Sequence, residues 1–264
     1  MFRTIVSALV VPLLLSAACS TQAGEAVRVE SASPAGLLWA VPDNAAKAST
    51  GRIEVTFTID GPDGTFAFGG AGAFDLDAGQ AALTLDLGGL GASFDEPLEI
   101  VVDGAVRYLR LPMLASLTGE AGWLSASAED LGRAGAALGL PAVGADPTQI
   151  LEALRGAGAV DAVGPQDVRG VRTTRYDATI ALGEALTDAP VSVWIDADGL
   201  ARRVQVELDG AGPWGSDGEG QITMMLELFD YGEPVQIVVP SPAGATPFSE
   251  IASMLVSAFT DEPA

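Results

Sequence analysis

Histidine is absent from the 264 residues, and Cys19 is the only cysteine. Nucleophile–imidazole catalysis and histidine-based zinc coordination each need a residue that this chain lacks. Carboxylates, hydroxyls and arginines remain. The 35 acidic residues outnumber the 13 lysines and arginines, for a formal charge of −22. Two acidic runs look like parts of calcium loops, Asp75-Leu76-Asp77 and Asp196-Ala197-Asp198-Gly199. A calcium loop needs further oxygen ligands and a closing bidentate glutamate, which neither run supplies. Both fall between expected strands, so both read as turns and no metal is expected. Gly69-Gly70-Ala71-Gly72 lacks the lysine of a phosphate-binding loop. Arg169, Arg172, Arg175, Arg202 and Arg203 are enough to hold an anionic head group. With so many acids present, the expectation is that they pair with surface carboxylates. Accidental carboxylate pairs are unavoidable, but aromatics make up only 6% of the chain and offer no sugar platform. No catalytic residue and no cofactor is expected, and the chain is not read as an enzyme.

Cys19 has a more definite chemistry. Arg3 supplies a charge, an apolar run follows from Thr4, and Leu15-Ser16-Ala17-Ala18 leads into the cysteine. The run is shorter than the ~20 residues of a comfortable membrane span. Small residues before a cysteine resemble a bacterial lipobox, in which the thiol receives a diacylglycerol and becomes the first residue after cleavage. Ser16 departs from that pattern, because Leu is commonest three places before the cysteine and Leu15 lies one place earlier. The alternative is an ordinary secretory signal with a chance cysteine. The expected organisation is a signal peptide over 1–18, a small polar tether over 19–34 and one domain over 35–264. The expected location is outside the plasma membrane, anchored to its outer face through acyl chains (diacylglycerol and palmitate). An acidic chain is repelled by nucleic acid and by anionic lipid, so no nucleic-acid partner is expected. Lys47 is the only lysine in an Ala- and Gly-rich chain, the usage of a high-GC bacterium such as an actinomycete.

The elements that must position any site follow from periodicity. Ala35 to Ser49 reads as a helix interrupted near Pro42. Ile53 to Asp60 alternates without a fault, placing Ile53, Val55, Phe57 and Ile59 on one face. Gly61-Pro62-Asp63-Gly64 turns the chain into a second strand, Thr65 to Leu76. Its glycines suggest a bulge, sharp curvature or a close approach. Leu83 to Leu87 is a third strand, and Asp103-Gly104 joins two more. Ser127 and Asp146-Pro147 open two helices. Val168 to Leu182, Val191 to Ile195, Arg202 to Leu208, Gln221 to Tyr231 and Val235 to Val239 read as strands. Gly210 to Gly220 reads as an exposed loop, and Thr246-Pro247 starts a last helix. The expected fold is α+β: nine or ten strands in a curved antiparallel sheet, an incomplete barrel, with helices over its concave face. Ile53, Val55, Phe57, Leu83, Leu85, Val193 and Ile195 are expected to point inward, where they either line an apolar cavity or pack a solid core.

Two stretches carry a family resemblance. One is Val168-Arg169-Gly170-Val171-Arg172-Thr173-Thr174-Arg175-Tyr176, followed by Val193-Trp194-Ile195-Asp196 and Gly199-Leu200-Ala201-Arg202-Arg203. The other is Val106-Arg107-Tyr108-Leu109-Arg110-Leu111-Pro112, leading to Trp123. Over roughly residues 30 to 240 the chain resembles the LppX/LprG-type lipoproteins of mycobacteria and their relatives, which are similar in fold to the LolA/LolB lipoprotein carriers. The resemblance implies an incomplete barrel closed by helices, with no catalytic residues. It implies binding or transfer of acylated lipids or lipoglycans in an apolar cavity, and makes a membrane transporter a candidate partner. The competing reading is an anchored interaction or scaffold protein with a filled core and no ligand; a third, an envelope hydrolase, would need two convergent acids in a cleft.

Overall fold

The computed structural model describes residues 33–61, 64–90, 96–111, 122–131, 147–182, 187–209 and 221–251, which lie in one compact unit. Helix α1 spans Pro34–Ala48. Ser33 caps it, its hydroxyl accepting from the Gly36 amide at 3.2 Å, and Pro34 sits where its missing N–H is not needed. The expected interruption at Pro42 does not occur, and the helix runs through it. Pro42 is buried beside Leu38, Val41 and Ala45, and that packing offsets the one backbone bond a proline removes.

Twelve strands among the described residues form one sheet. They are β1 (Thr50–Gly61), β2 (Gly64–Asp75), β3 (Gln80–Asp86), β4 (Leu98–Asp103), β5 (Val106–Arg110), β6 (Trp123–Ser127), β7 (Asp161–Val168), β8 (Val171–Ile180), β9 (Ala189–Asp196), β10 (Ala201–Asp209), β11 (Gln221–Phe229) and β12 (Ala245–Pro247). Their order is β12-β6-β5-β4-β3-β2-β1-β11-β10-β9-β8-β7, antiparallel throughout except for the parallel pair β12–β6. The sheet is open, with β12 and β7 at its edges. Helix α2, described over 128–131, opens on a reciprocal cap. The Asp130 amide donates to the Ser127 hydroxyl, and the Ser127 amide and hydroxyl donate to the Asp130 carboxylate. Helix α3 spans Pro147–Ala153 and continues as a 3₁₀ turn, Leu154–Gly156.

Register puts the apolar residues on one face. Val55 lies opposite Leu226, Leu226 opposite Val204, Val204 opposite Val193 and Val193 opposite Tyr176. Laid flat at ~4.8 Å per strand, twelve strands would span roughly 50 Å. Yet residues of β1, β3, β4 and β8–β11 share a single core cluster with α1 and α3, so the sheet is curled around its helices. The fold is α+β, a curved antiparallel sheet with helices on its concave face.

Two glycines of β2 stand where its backbone crowds against β3. A methyl group at Gly70 would lie 1.9 Å from the Thr84 carbonyl oxygen, and one at Gly72 would lie 1.9 Å from that of Ala82. The pairing of β2 with β1 and with β3 runs without a register shift. The glycines of β2 therefore serve close approach of backbones, not a bulge.

Four sequence expectations need correction. Val168 begins no continuous strand. The chain runs up β7 to Val168, turns at Arg169-Gly170 with φ of 49° and 78°, and returns as β8. Strand β7, with Gly164 and Pro165, hides from a propensity reading because an edge strand tolerates both. Val235 to Val239 joins no sheet, although half-buried and exposed residues alternate along it. Trp123–Ser127 is a strand the sequence reading passed over, and the sheet has twelve strands where nine or ten were expected. The last helix begins at Phe248, because Ala245–Pro247 pairs with β6 first. The expected loop at 210–220 and the rest of the last helix lie outside the described residues.

Candidate functional site

The seven residues expected to point inward all stand on the concave face. Ile53, Val55, Leu83, Leu85, Val193 and Ile195 are buried in the core cluster, and Phe57 packs against it half-buried. Alternation in β1 and β3 brings Ile53, Val55, Phe57, Leu83 and Leu85 together across β2. Val193 and Ile195 belong to β9, which is buried on both faces. Cys19 lies outside the described residues.

The concave face changes character along the strands. At the α1 end it is sealed, with Leu38, Val41, Ala45, Phe74 and Leu228 at most 1% exposed. At the opposite end, over β8–β11, it is also sealed by Ile180, Ala189, Leu208 and Ile222. Over β1–β4 at that end it is not. Phe57 and Phe68 stand opposite each other in the ladder, stacked with ring centroids 4.9 Å apart, and both are half-buried. Phe66, opposite Ile59, is 40% exposed. Leu87 and Leu98 beside them are half-buried as well. The sequence reading named Phe57 and missed Phe66 and Phe68. The signal was present: both fall on the even positions of β2 that pair with the odd positions of β1.

Over β1 and β8–β11 the convex face is stitched by arginines paired with carboxylates, as the sequence suggested. Arg203 and Arg169 both donate to Glu227, and Arg169 also reaches Glu54. Burial pushes the Glu227 carboxyl up, but those arginine hydrogen bonds outweigh it and hold the group below the ordinary glutamate range. Arg175 pairs with Asp177 and Arg202 with Asp196. Trp194 lies between the Arg175 and Arg203 guanidinium groups, 5.2 and 5.3 Å from its ring centre, and its indole N–H donates to Gln166. Burial pushes the Tyr231 phenol up; its hydroxyl donates to the Ala201 carbonyl.

The calcium-like run at Asp196 is a turn. One Asp196 oxygen accepts from the amides of Asp198 and Leu200, and the other from Arg202. Asp75 accepts from the Ala78 amide in the same way. Among the described residues no group of acids is disposed to hold a metal ion, and no helix is long and apolar enough to cross a membrane.

No family model matches the chain, and no curated protein matches it in sequence. Solved structures do resemble it in fold. The lipoprotein LppX of Mycobacterium tuberculosis is 17% identical with a TM-score of 0.46, the match covering 76% of this chain and 98% of that one. LprF of Mycobacterium bovis is 13% identical with a TM-score of 0.39, covering 79% and 97%. MucB, crystallised from Pseudomonas aeruginosa in complex with MucA, is 13% identical with a TM-score of 0.37, covering 81% and 62%.

Proposed function

We propose that the chain is an exported lipoprotein, anchored to the outer face of the plasma membrane through Cys19, whose domain over 35–264 holds an acylated lipid or lipoglycan against the concave face. The observation that carries this reading is the uneven cover of that face. Apolar side chains of β1–β4 and β8–β11 form one continuous cluster, and at the far end of β1–β2 it borders the half-buried Phe57 and Phe68 and the exposed Phe66. Water-exposed apolar surface beside a sealed core marks a place that something apolar covers. The order of motifs around Arg169, Trp194 and Arg202 supports the same reading through its family resemblance. The seven inward residues Ile53, Val55, Phe57, Leu83, Leu85, Val193 and Ile195 would then form the floor on which acyl chains lie. A transporter in the same membrane is the natural donor or acceptor.

Organic extraction and native mass spectrometry of the purified chain test this. The expected result is a bound acylated species released on extraction. A protein that carries none, and that takes up no added long-chain lipid, would leave the anchored scaffold with a filled core as the better reading.

A further inference from the structure

Val235-Gln236-Ile237-Val238-Val239 has the composition of a strand and lies in no sheet. It is fastened at both ends. Asp230 and Gly232, with φ of 51° and 78°, turn the chain off β11. The Gly232 amide donates to the Thr50 carbonyl at 2.9 Å, and the Thr50 hydroxyl donates to the Glu233 carbonyl at 2.8 Å. At the other end the chain rejoins the sheet as β12, paired with β6. Between these points no backbone N–H or C=O of residues 235–239 pairs with another backbone group among the described residues. The side chains show how the segment lies. Val235, Ile237 and Val239 are half-buried, Gln236 is exposed, and Val238 is 75% exposed. One row of side chains is seated on the body and the other stands away from it, so the backbone groups point sideways along the surface.

An extended, β-prone backbone without a ladder partner is a template for an added strand. Because both ends are already held, little chain entropy is lost when such a strand pairs. Pro234 and Pro240 bracket the segment, and neither can donate to a ladder, so pairing is confined to these five residues. Charge decides the occupant. Glu233 is exposed at one end of the segment, and no ion pair holds its carboxylate among the described residues. A second copy of the chain would bring one formal charge of −22 against another. We propose that residues 235–239 are a docking strand for a protein partner. The partner adds an extended segment of alternating apolar residues, with a lysine or arginine at the end that meets Glu233. Its backbone completes the ladder that the sheet leaves unmade, and its cation pairs with the free carboxylate. This assignment does not depend on the lipid reading.

Titration of the intact chain with the peptide Lys-Val-Thr-Val-Thr-Val-Lys tests this, a lysine at each end serving either strand direction. A second peptide is N-methylated at every residue between the lysines, which keeps side chains and charge but removes the ladder donors. It is expected to bind at least tenfold more weakly, because several backbone hydrogen bonds are lost together. Val238→Pro is expected to weaken the parent peptide at least tenfold and to leave the melting temperature unchanged, since residue 238 lies in no ladder. Glu233→Gln should weaken it several-fold. Equal affinity for the two peptides would show that charge alone draws them to an acidic chain, and would overturn the assignment. That comparison uses the unaltered chain, so it decides the matter even where Val238→Pro disturbs folding. Parent affinity that survives both substitutions would place the peptide elsewhere, and no binding at all would equally overturn the proposal. A dimer in sedimentation that Val238→Pro dissolves would make a second copy the occupant and overturn the partner named here.

Discussion

Arg169 hydrogen-bonds Glu54, although three strands of the sheet, β9, β10 and β11, lie between β8 and β1. Flat, that gap would be roughly 19 Å, far beyond one side chain. The β7–β8 hairpin must therefore lean back across the convex face, and Arg169 fastens its tip. The same guanidinium donates to Glu227 at 2.6 Å and lies 4.2 Å above the centre of the Phe229 ring. Replacing Arg169 with alanine is expected to free the hairpin tip at a cost of about 1 kcal/mol, since the contacts are partly solvated. Lysine should rescue little, because one ammonium cannot reproduce a fork that meets two carboxylates. Amide hydrogen exchange confined to Asp161–Val171 would report it; unchanged exchange there would show that the tip is held by other contacts.

Glu227 sets an acid limit on the same network. Its folded-state carboxyl is held below the ordinary value near 4.5. A group with a depressed folded pKa contributes stability that is present above the unfolded value and is lost as pH falls through the folded one. Unfolding of the wild type and of Glu227→Gln should therefore differ at pH 7, by about 1 kcal/mol in favour of the wild type. The gap should narrow steadily below pH 4.5. A gap independent of pH would mean that the glutamine disturbs packing and that the ion pairs contribute nothing.

The crowding at β2 makes a steric prediction. Gly70→Ala pushes a methyl into the Thr84 carbonyl, and relief requires the strands to part. A loss of about 3 kcal/mol is expected, with a fall in Tm of roughly 10 °C. Gly79 is the control. Its φ is 66° but nothing lies within 4 Å of a methyl there, so Gly79→Ala should cost only about 1 kcal/mol of backbone strain. Equal losses in thermal melts of the two variants would remove the crowding as the reason for the β2 glycines.

How much of this was legible in the sequence depended on whether a residue's role was local. The alternation Ile53, Val55, Phe57 is a local pattern and put these residues on the right face. The Asp-Gly and Asp-Pro signals marked the β4–β5 turn and α3 for the same reason. Pro42 misled because its burial against the sheet is a tertiary fact that overrides a local propensity. Strand β7 was invisible because its ladder partner, not its composition, makes it a strand, with Gly164 and Pro165 allowed by an edge. Val235 to Val239 had the composition of a strand but no partner among the described strands. The phenylalanine end was half legible: Phe57 followed from periodicity, while the openness around Phe66 and Phe68 depends on where the helices fall.

The last prediction concerns Cys19, which lies outside the described residues. The tether from Cys19 to Pro34 is short, at most ~3.5 Å per residue, so an anchored chain would keep α1 within about 50 Å of the bilayer. The chain's charge of −22 argues against attachment by attraction to anionic lipid. Under the proposed reading, acyl chains on Cys19 would be the source of membrane association. Cys19→Ala is expected to shift the protein from the detergent phase to the aqueous phase on phase partitioning and to leave the domain's melting temperature unchanged. Palmitate labelling should be lost in parallel. A variant that still partitions into detergent would show that the domain itself, or an uncleaved leader, holds the membrane. The two are told apart by the mass of the purified protein, which a retained leader raises by residues 1–18.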